Sequence, residues 1–345
     1  MDKKKRFNNL DIIRFVAASL VIFSHSFPIT MGDDLHEPLA ILTNHQTGFG
    51  QISVVIFFII SGYLITLSYE RATSISQYLK SRFLRIFPGL IAMLVLTTFI
   101  LGPLVSIFSI KEYFSNTLPF KYIFMNLTLI LTQVLPSENL PGVFLSNPLA
   151  GAVNGSLWTL WFEFFCYIMV IILYKLKLSK KRYLIYIFLF CLVINTLTVK
   201  VSSGEISFIL FFLLRHFKMA TYFLSGMLFF KFRENIILKG RWAFLSLIVF
   251  VLLTYIGFYE TAVSIFGSYI LFFMSFNDRI VFSNFTKYGD FSYGIYIYAF
   301  PIQQLLYSLG VGRSVLTNTL LSFAISLAFA YLSWHLIEKR ALALK

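Results

Sequence analysis

Arg14 and His25 stand eleven residues apart in the apolar run that opens the sequence. Eleven residues is close to three full helical turns, so both fall on one face, about 16 Å apart along the axis. Asp11, three residues before Arg14, is spaced to pair with it. A second apolar run, 156–174, places Ser156, Thr159, Glu163 and Tyr167 at offsets 0, 3, 7 and 11, a polar stripe down one helical face. Ionisable groups inside such runs are costly and are functional candidates by default. If the two runs cross a membrane in opposite directions, His25 and Glu163 lie at similar depth. An imidazole and a carboxylate at one level can work as an acid/base pair, the carboxylate orienting or charging the ring. Two blander readings stay open: a His–Glu contact that glues helices, and an Asp11–Arg14 pair that anchors the first helix at an interface.

Weaker signals accompany these. Ser61-Gly62 sits in the middle of an apolar run, where small residues let helices approach closely. Tyr293, Tyr296 and Gln303 share a face at offsets 0, 3 and 10, a pattern that belongs as readily to a core as to a site. Arg215, His216 and Lys218 fall within one long apolar run, either near its outer end or along a buried cavity. The sequence has no GxSxG elbow, no HExxH, no glycine-rich phosphate loop and no His followed five residues later by Asp. Cys166 and Cys191 both lie in apolar runs and form no metal-ligand spacing, so no metal site is expected.

The elements that must carry these residues follow from composition. The 345 residues are 58% hydrophobic and only 13% charged, with 41 Phe beside 15 acidic residues. Soluble domains run nearer half apolar and a quarter charged, and so small a charged fraction cannot solvate a globule of this size. What remains is an all-α polytopic membrane protein, because a bilayer requires every backbone group to be satisfied internally. Ten apolar stretches are long enough to span: 10–28, 51–68, 87–109, 156–174, 183–200, 206–230, 242–258, 262–276, 291–310 and 317–337. The shorter stretch 122–135 reads as a re-entrant or interfacial helix. Counting loops on that basis, 22 of the 29 basic residues fall on one side, four on the other and three within spans. The positive-inside rule then puts both termini in the cytoplasm. The net charge of +14 is explained by topology and calls for no nucleic-acid partner. Residues 1–345 read as a single transmembrane domain with no separate soluble domain.

Six stretches in order carry a resemblance. NNLDIIRFVAASLVIFSHS, with Arg14 and His25, resembles the opening motif of the acyltransferase type 3 family of membrane-bound O-acyltransferases. VVIFFIISGYLIT (54–66) is similar to that family's second-helix motif, and RFLRIFPGL (82–90) to its Arg-x-x-Arg-x-x-Pro segment. NGSLWTLWFEFFCY (154–167), YGDFSYGIYIYAFPIQQ (288–304) and the closing Ile337-Glu338-Lys339 complete the set across essentially the whole chain. One departure is Ala299, where many relatives carry a His, so any base role falls to His25. Another is the lack of the fused SGNH hydrolase-like domain of some relatives.

The resemblance implies transfer of an acyl group, most often acetyl from cytoplasmic acetyl-CoA, to a hydroxyl of a surface polysaccharide or its lipid-linked precursor. It implies a multi-pass protein of the bacterial inner (plasma) membrane, with acetyl-CoA as co-substrate rather than a permanently bound cofactor. Arg82 and Arg85 would then meet CoA phosphates, since guanidinium groups bind phosphate bidentately, and Arg14 the pantetheine or pyrophosphate. His25 would take the acceptor's proton, with Glu163 orienting it. Asn154, Ser156 or Tyr296 would donate to the developing oxyanion, and Trp158 and Tyr293 would help to hold the acceptor. Two other readings compete: an acyltransferase acting on a lipid or small molecule, and a transporter or flippase for a carbohydrate-linked or anionic substrate, which would show broken helices in corresponding halves.

Overall fold

A computed structural model describes residues 9–134, 139–198, 207–277, 282 and 285–345. Lys3, Lys4, Lys5, Arg6, Lys200 and Arg279, which entered the charge count, lie outside the described residues. Every regular element among those described is helical. Seven helices are long and apolar enough to cross a membrane: α1 Leu10–Met31, α2 Phe49–Arg71, α3 Ile75–Val105, α4 Trp158–Lys175, α5 Lys181–Thr198, α6 Phe208–Lys231 and α10 Val315–Leu342. Three shorter ones coincide with the remaining expected spans: α7 Gly240–Tyr255, α8 over 259–275, and α9 Ser292–Ser308. The chain is an all-α polytopic membrane protein. The stretch expected to lie at an interface forms two short helices, Leu118–Thr128 and Leu131–Val134. The longer of these covers only about half of a hydrocarbon core.

Two small residues set the closest helix contact. A Cβ on Gly62 of α2 would lie 1.9 Å from the Phe223 carbonyl oxygen of α6, and one on Gly226 would lie 1.9 Å from the Ile59 carbonyl oxygen. The approach is reciprocal, so either helix would be pushed off by any side chain at these positions. Gly62 therefore packs helices as its sequence suggests, whereas Ser61 beside it lines cavities.

Helix α9 is the centre of the bundle, buried continuously from Ser292 to Gln304. Polar side chains, not only apolar ones, lock it in place. The Gln303 amide donates to the Ile22 carbonyl, to Ser26 Oγ and to Asn318 Oδ1, joining α9 to α1 and α10. Gln304 donates to the carbonyls of Leu149 and Ala152 and accepts from Asn147, which hangs the long loop before α4 on α9. At the start of α2, the Glu37 carboxylate accepts from the Phe49 N–H, satisfying a donor that the first turn leaves unpaired. These ties fix α1, α4 and α9, the three helices that carry most of the expected site.

Candidate functional site

Three cavities lie along the bundle between these helices. One of about 400 Å³ opens where α1, α3 and α9 begin and α2 and α10 end. Its wall carries Arg14, Arg82, Arg85 and Lys345, with Asp11, Glu163 and Asp290. We call this the basic end. A second cavity, of about 320 Å³, lies at the opposite, far end and is walled by Ser24, His25, Trp158, Arg215, Lys218 and Tyr296 among others. Between them is a waist of about 60 Å³. The waist shares Arg14, Ser61, Arg85 and Glu163 with the basic cavity, and Val54 and Tyr296 with the far cavity. Arg14 and His25, one helical face apart by three turns, thus mark the two ends of one line of cavities.

The basic end is organised by Asp290, in the turn before α9. Its Oδ2 accepts from Arg85 at 2.6 Å and from Arg14 at 3.0 Å, while Oδ1 accepts from the Ser292 N–H. Burial works against the charge, yet Arg14 and Arg85 hold the Asp290 carboxyl well below the usual carboxylate range. The sequence spacing suggested Asp11 as the partner of Arg14. Asp290, 276 residues away, takes that place, because α9 packs directly on α1. Arg82 donates to Ser81 Oγ and Ser68 Oγ and lies 5.8 Å over the Tyr167 ring, and it lines the cavity with no carboxylate partner among the described residues. Lys345, which the sequence reading did not single out, completes the cationic wall. Burial first, then Arg82 and Arg85, push its ammonium down to about 8.

Glu163 and His25 are not brought together. Glu163 accepts from the Tyr167 hydroxyl and lines the waist and the basic cavity, whereas His25 lines the far cavity. The physical reason is that α1 packs on α2, α9 and α10, while α4 packs on α2, α3 and α6. Helix α2 stands between them, and Glu163 lies nearer the basic end than His25, whose cavity is shared instead by Trp158 at the start of α4. His25 is half-buried, its ring meets Phe300 edge-on with centroids 5.2 Å apart, and its Nδ1 is buried with no hydrogen-bond partner among the described residues.

The expected acceptor-side residues divide into wall and scaffold. The Asn154 amide donates to the Ile297 carbonyl at 2.8 Å and its Oδ1 accepts from the Ser156 N–H at 3.1 Å, so Asn154 ties the α4 approach to α9. The Tyr296 hydroxyl donates to the Ser156 carbonyl at 2.9 Å and meets Thr159 Oγ1 at 2.7 Å, while its ring faces both waist and far cavity. The Tyr293 hydroxyl donates to the Ile86 carbonyl at 2.7 Å and its ring lines the waist. Of the three expected oxyanion donors, Ser156 keeps a buried hydroxyl that meets no partner among the described residues, but it lines none of the three cavities. Trp158 lines the far cavity under the Arg215 guanidinium, 4.4 Å from its ring centre.

The cluster at 215–218 splits. Arg215 and Lys218 face the far cavity, and Lys218 pairs with Glu260 at 2.8 Å. His216 points away: its Nε2 accepts from Trp161 Nε1 at 2.9 Å and its Nδ1 lies 2.8 Å from the Phe212 carbonyl. Both contacts are satisfied only by the neutral ring protonated at Nδ1. His216 has no free nitrogen for catalysis.

A family described as "Acyltransferase domain" matches residues 7–335. A protein named "O-acetyl transferase", from Shigella phage Sf6, is 30% identical over 346 residues, covering 97% of this chain and 96% of that protein. "Nodulation protein 10" of Rhizobium leguminosarum bv. viciae is 39% identical over 101 residues, 28% of this chain and 26% of that protein. No solved structure matches.

Proposed function

The chain belongs to this acyltransferase family and is a membrane O-acetyltransferase, and from that premise we propose that it moves acetyl from cytoplasmic acetyl-CoA to a hydroxyl of a surface polysaccharide or its lipid-linked precursor. The observation that carries the reading is the line of cavities, cationic at one end and lined by His25 at the other. The membrane is then the bacterial plasma membrane, with the basic end facing the cytoplasm.

In this reading the nucleotide and phosphates of acetyl-CoA occupy the basic cavity. Arg82, which pairs with no carboxylate among the described residues, and Lys345 meet phosphate oxygens, and Arg14 and Arg85 do so as Asp290 yields part of its hold. The pantetheine arm, a narrow chain, extends through the waist past Ser61 and Glu163, and brings the thioester to the level of Tyr296. The acceptor enters the far cavity, where Trp158 and Tyr296 offer aromatic faces to a sugar ring.

His25 takes the proton of the acceptor hydroxyl as that oxygen bonds to the thioester carbonyl carbon. The carbon–sulfur bond then breaks, the proton passes from the imidazolium to the departing sulfur, and CoA leaves as the thiol. The residues that line the cavities include no cysteine, which supports direct transfer over a thiol-borne acyl-enzyme. The test is O-acetyl analysis of surface polysaccharide by NMR in cells with the gene, without it, and with His25→Ala. The reading requires acetyl signals in the first only. Unchanged signals without the gene would end it, in favour of a lipid or small-molecule acceptor.

A further inference from the structure

The far cavity holds a cation that no described carboxylate answers. Arg215 is half-buried, with its guanidinium carbon over the rings of Trp158 and Phe211, 4.4 and 5.1 Å from their centres. Among the described residues it forms no ion pair and no hydrogen bond. Its neighbour Lys218 is already neutralised by Glu260, which is further held by Tyr222 and Asn195. Asp34, on the same wall, is exposed and makes no ion pair with it. A guanidinium resting on aromatic rings keeps its N–H donors at its edge, in the planar fork that matches a carboxylate or phosphate. An unpaired, partly desolvated charge is costly unless a ligand pairs with it.

We propose that the far cavity is an oxyanion-recognition site, in which Arg215 binds a carboxylate or phosphate carried by the acceptor and so sets which hydroxyl reaches His25. His25 and Arg215 wall the same cavity, so one acceptor can meet both. The oxyanion belongs either to an acidic sugar or to the phosphate linkage of a lipid-linked glycan. The inference rests on the acetyl-transfer reading above, whose donor site it assigns to the other end of the molecule.

The test is equilibrium binding to the detergent-solubilised protein with CoA present at saturation, so that the basic cavity is filled. The probes are inorganic pyrophosphate, D-glucuronate and neutral D-glucose, each titrated against the unaltered protein, Arg215→Gln and Arg215→Lys. At least one anion is expected to bind more tightly than glucose, and the anion that does so identifies the source. Arg215→Gln should weaken that anion tenfold or more, and Arg215→Lys should recover only part, because an ammonium lacks the fork. Glucose binding as tightly as both anions, or Arg215→Gln binding anions like the unaltered protein, would overturn the proposal. If Arg215→Gln fails to fold, the anion-over-glucose preference and the Arg215→Lys deficit still decide it. CoA binding, measured in the same samples, separates the two claims. Intact CoA binding without anion binding defeats this inference alone, and absent CoA binding defeats the donor assignment.

Discussion

Ser61→Leu is the sharpest perturbation of the proposed passage, because Ser61 lines both the waist and the basic cavity. The waist holds about 60 Å³. Replacing a hydroxymethyl by an isobutyl group adds the volume of roughly two to three waters at ~30 Å³ each, enough to fill it. The basic cavity, of about 400 Å³, loses only a fraction of its space. Acetyl-CoA should therefore still bind through its phosphates, while the thioester stops short of His25. Displacing a reacting atom by about 1 Å costs on the order of 10²-fold in rate, which is ~2.7 kcal/mol of barrier; complete blockage costs more. Labelled acetyl-CoA binding and label transfer to glycan, measured on the same preparation, separate the two effects. Ser61→Ala removes the hydroxyl without adding volume and should transfer within a few-fold of the parent. Normal transfer by Ser61→Leu, with the substitution verified, would mean that the acyl group does not travel through the waist.

Other outcomes follow from individual contacts. His25→Phe should lower transfer by about 10² to 10⁴ while acetyl-CoA binding persists. His216→Phe should instead leave transfer nearly intact and lower the thermal midpoint, since the Trp161 N–H loses its acceptor at a cost of about 1–3 kcal/mol. Asp290→Asn leaves two guanidinium groups facing one another and should destabilise the protein by about 3 kcal/mol in thermal unfolding. Because the folded state holds that carboxyl below its unfolded value, its contribution is complete above about pH 4 and erodes as pH falls further. Asp290→Asn should lack that acid-side loss. Lys345, titrating near 8, gives up its charge as pH rises through that value, so acetyl-CoA affinity should fall above pH 8. Lys345→Gln should bind about three- to fivefold more weakly at neutral pH and show no such fall.

Helices and their inward faces were legible in the sequence; relative depth and neighbourhood were not, since Glu163 lies nearer the basic end than His25. Hydropathy alone located the helices, and three turns between Arg14 and His25 put both side chains on the bundle interior, as the cavity walls show. Gly62 betrayed its packing role because mid-span glycine has few other uses. Glu163 and His25 lie on walls of one line of cavities, yet their pairing failed because no pattern within a helix tells which helix stands beside it. The same gap hid Asp290. An acidic residue just before an aromatic-rich helix on the basic side was the available signal, but only α9 packing on α1 gives it two arginines. Asn154 looked like a donor from its motif, and its amide is taken by a backbone carbonyl of α9 that sequence spacing cannot bring near. Arg215 and His216 are adjacent in sequence and face opposite ways, one to a cavity and one to an indole, so their shared run could not rank them.

The claim on which the rest depends is that donor and acceptor enter from opposite sides. Reconstitution in sealed, oriented vesicles tests it: labelled acetyl-CoA is confined to the compartment at the basic end, and the host's glycan is supplied only at the far end. Label should appear on the glycan without leakage of acetyl-CoA, and His25→Phe should abolish it. Label that appears only when both substrates share the basic-end compartment would contradict the account.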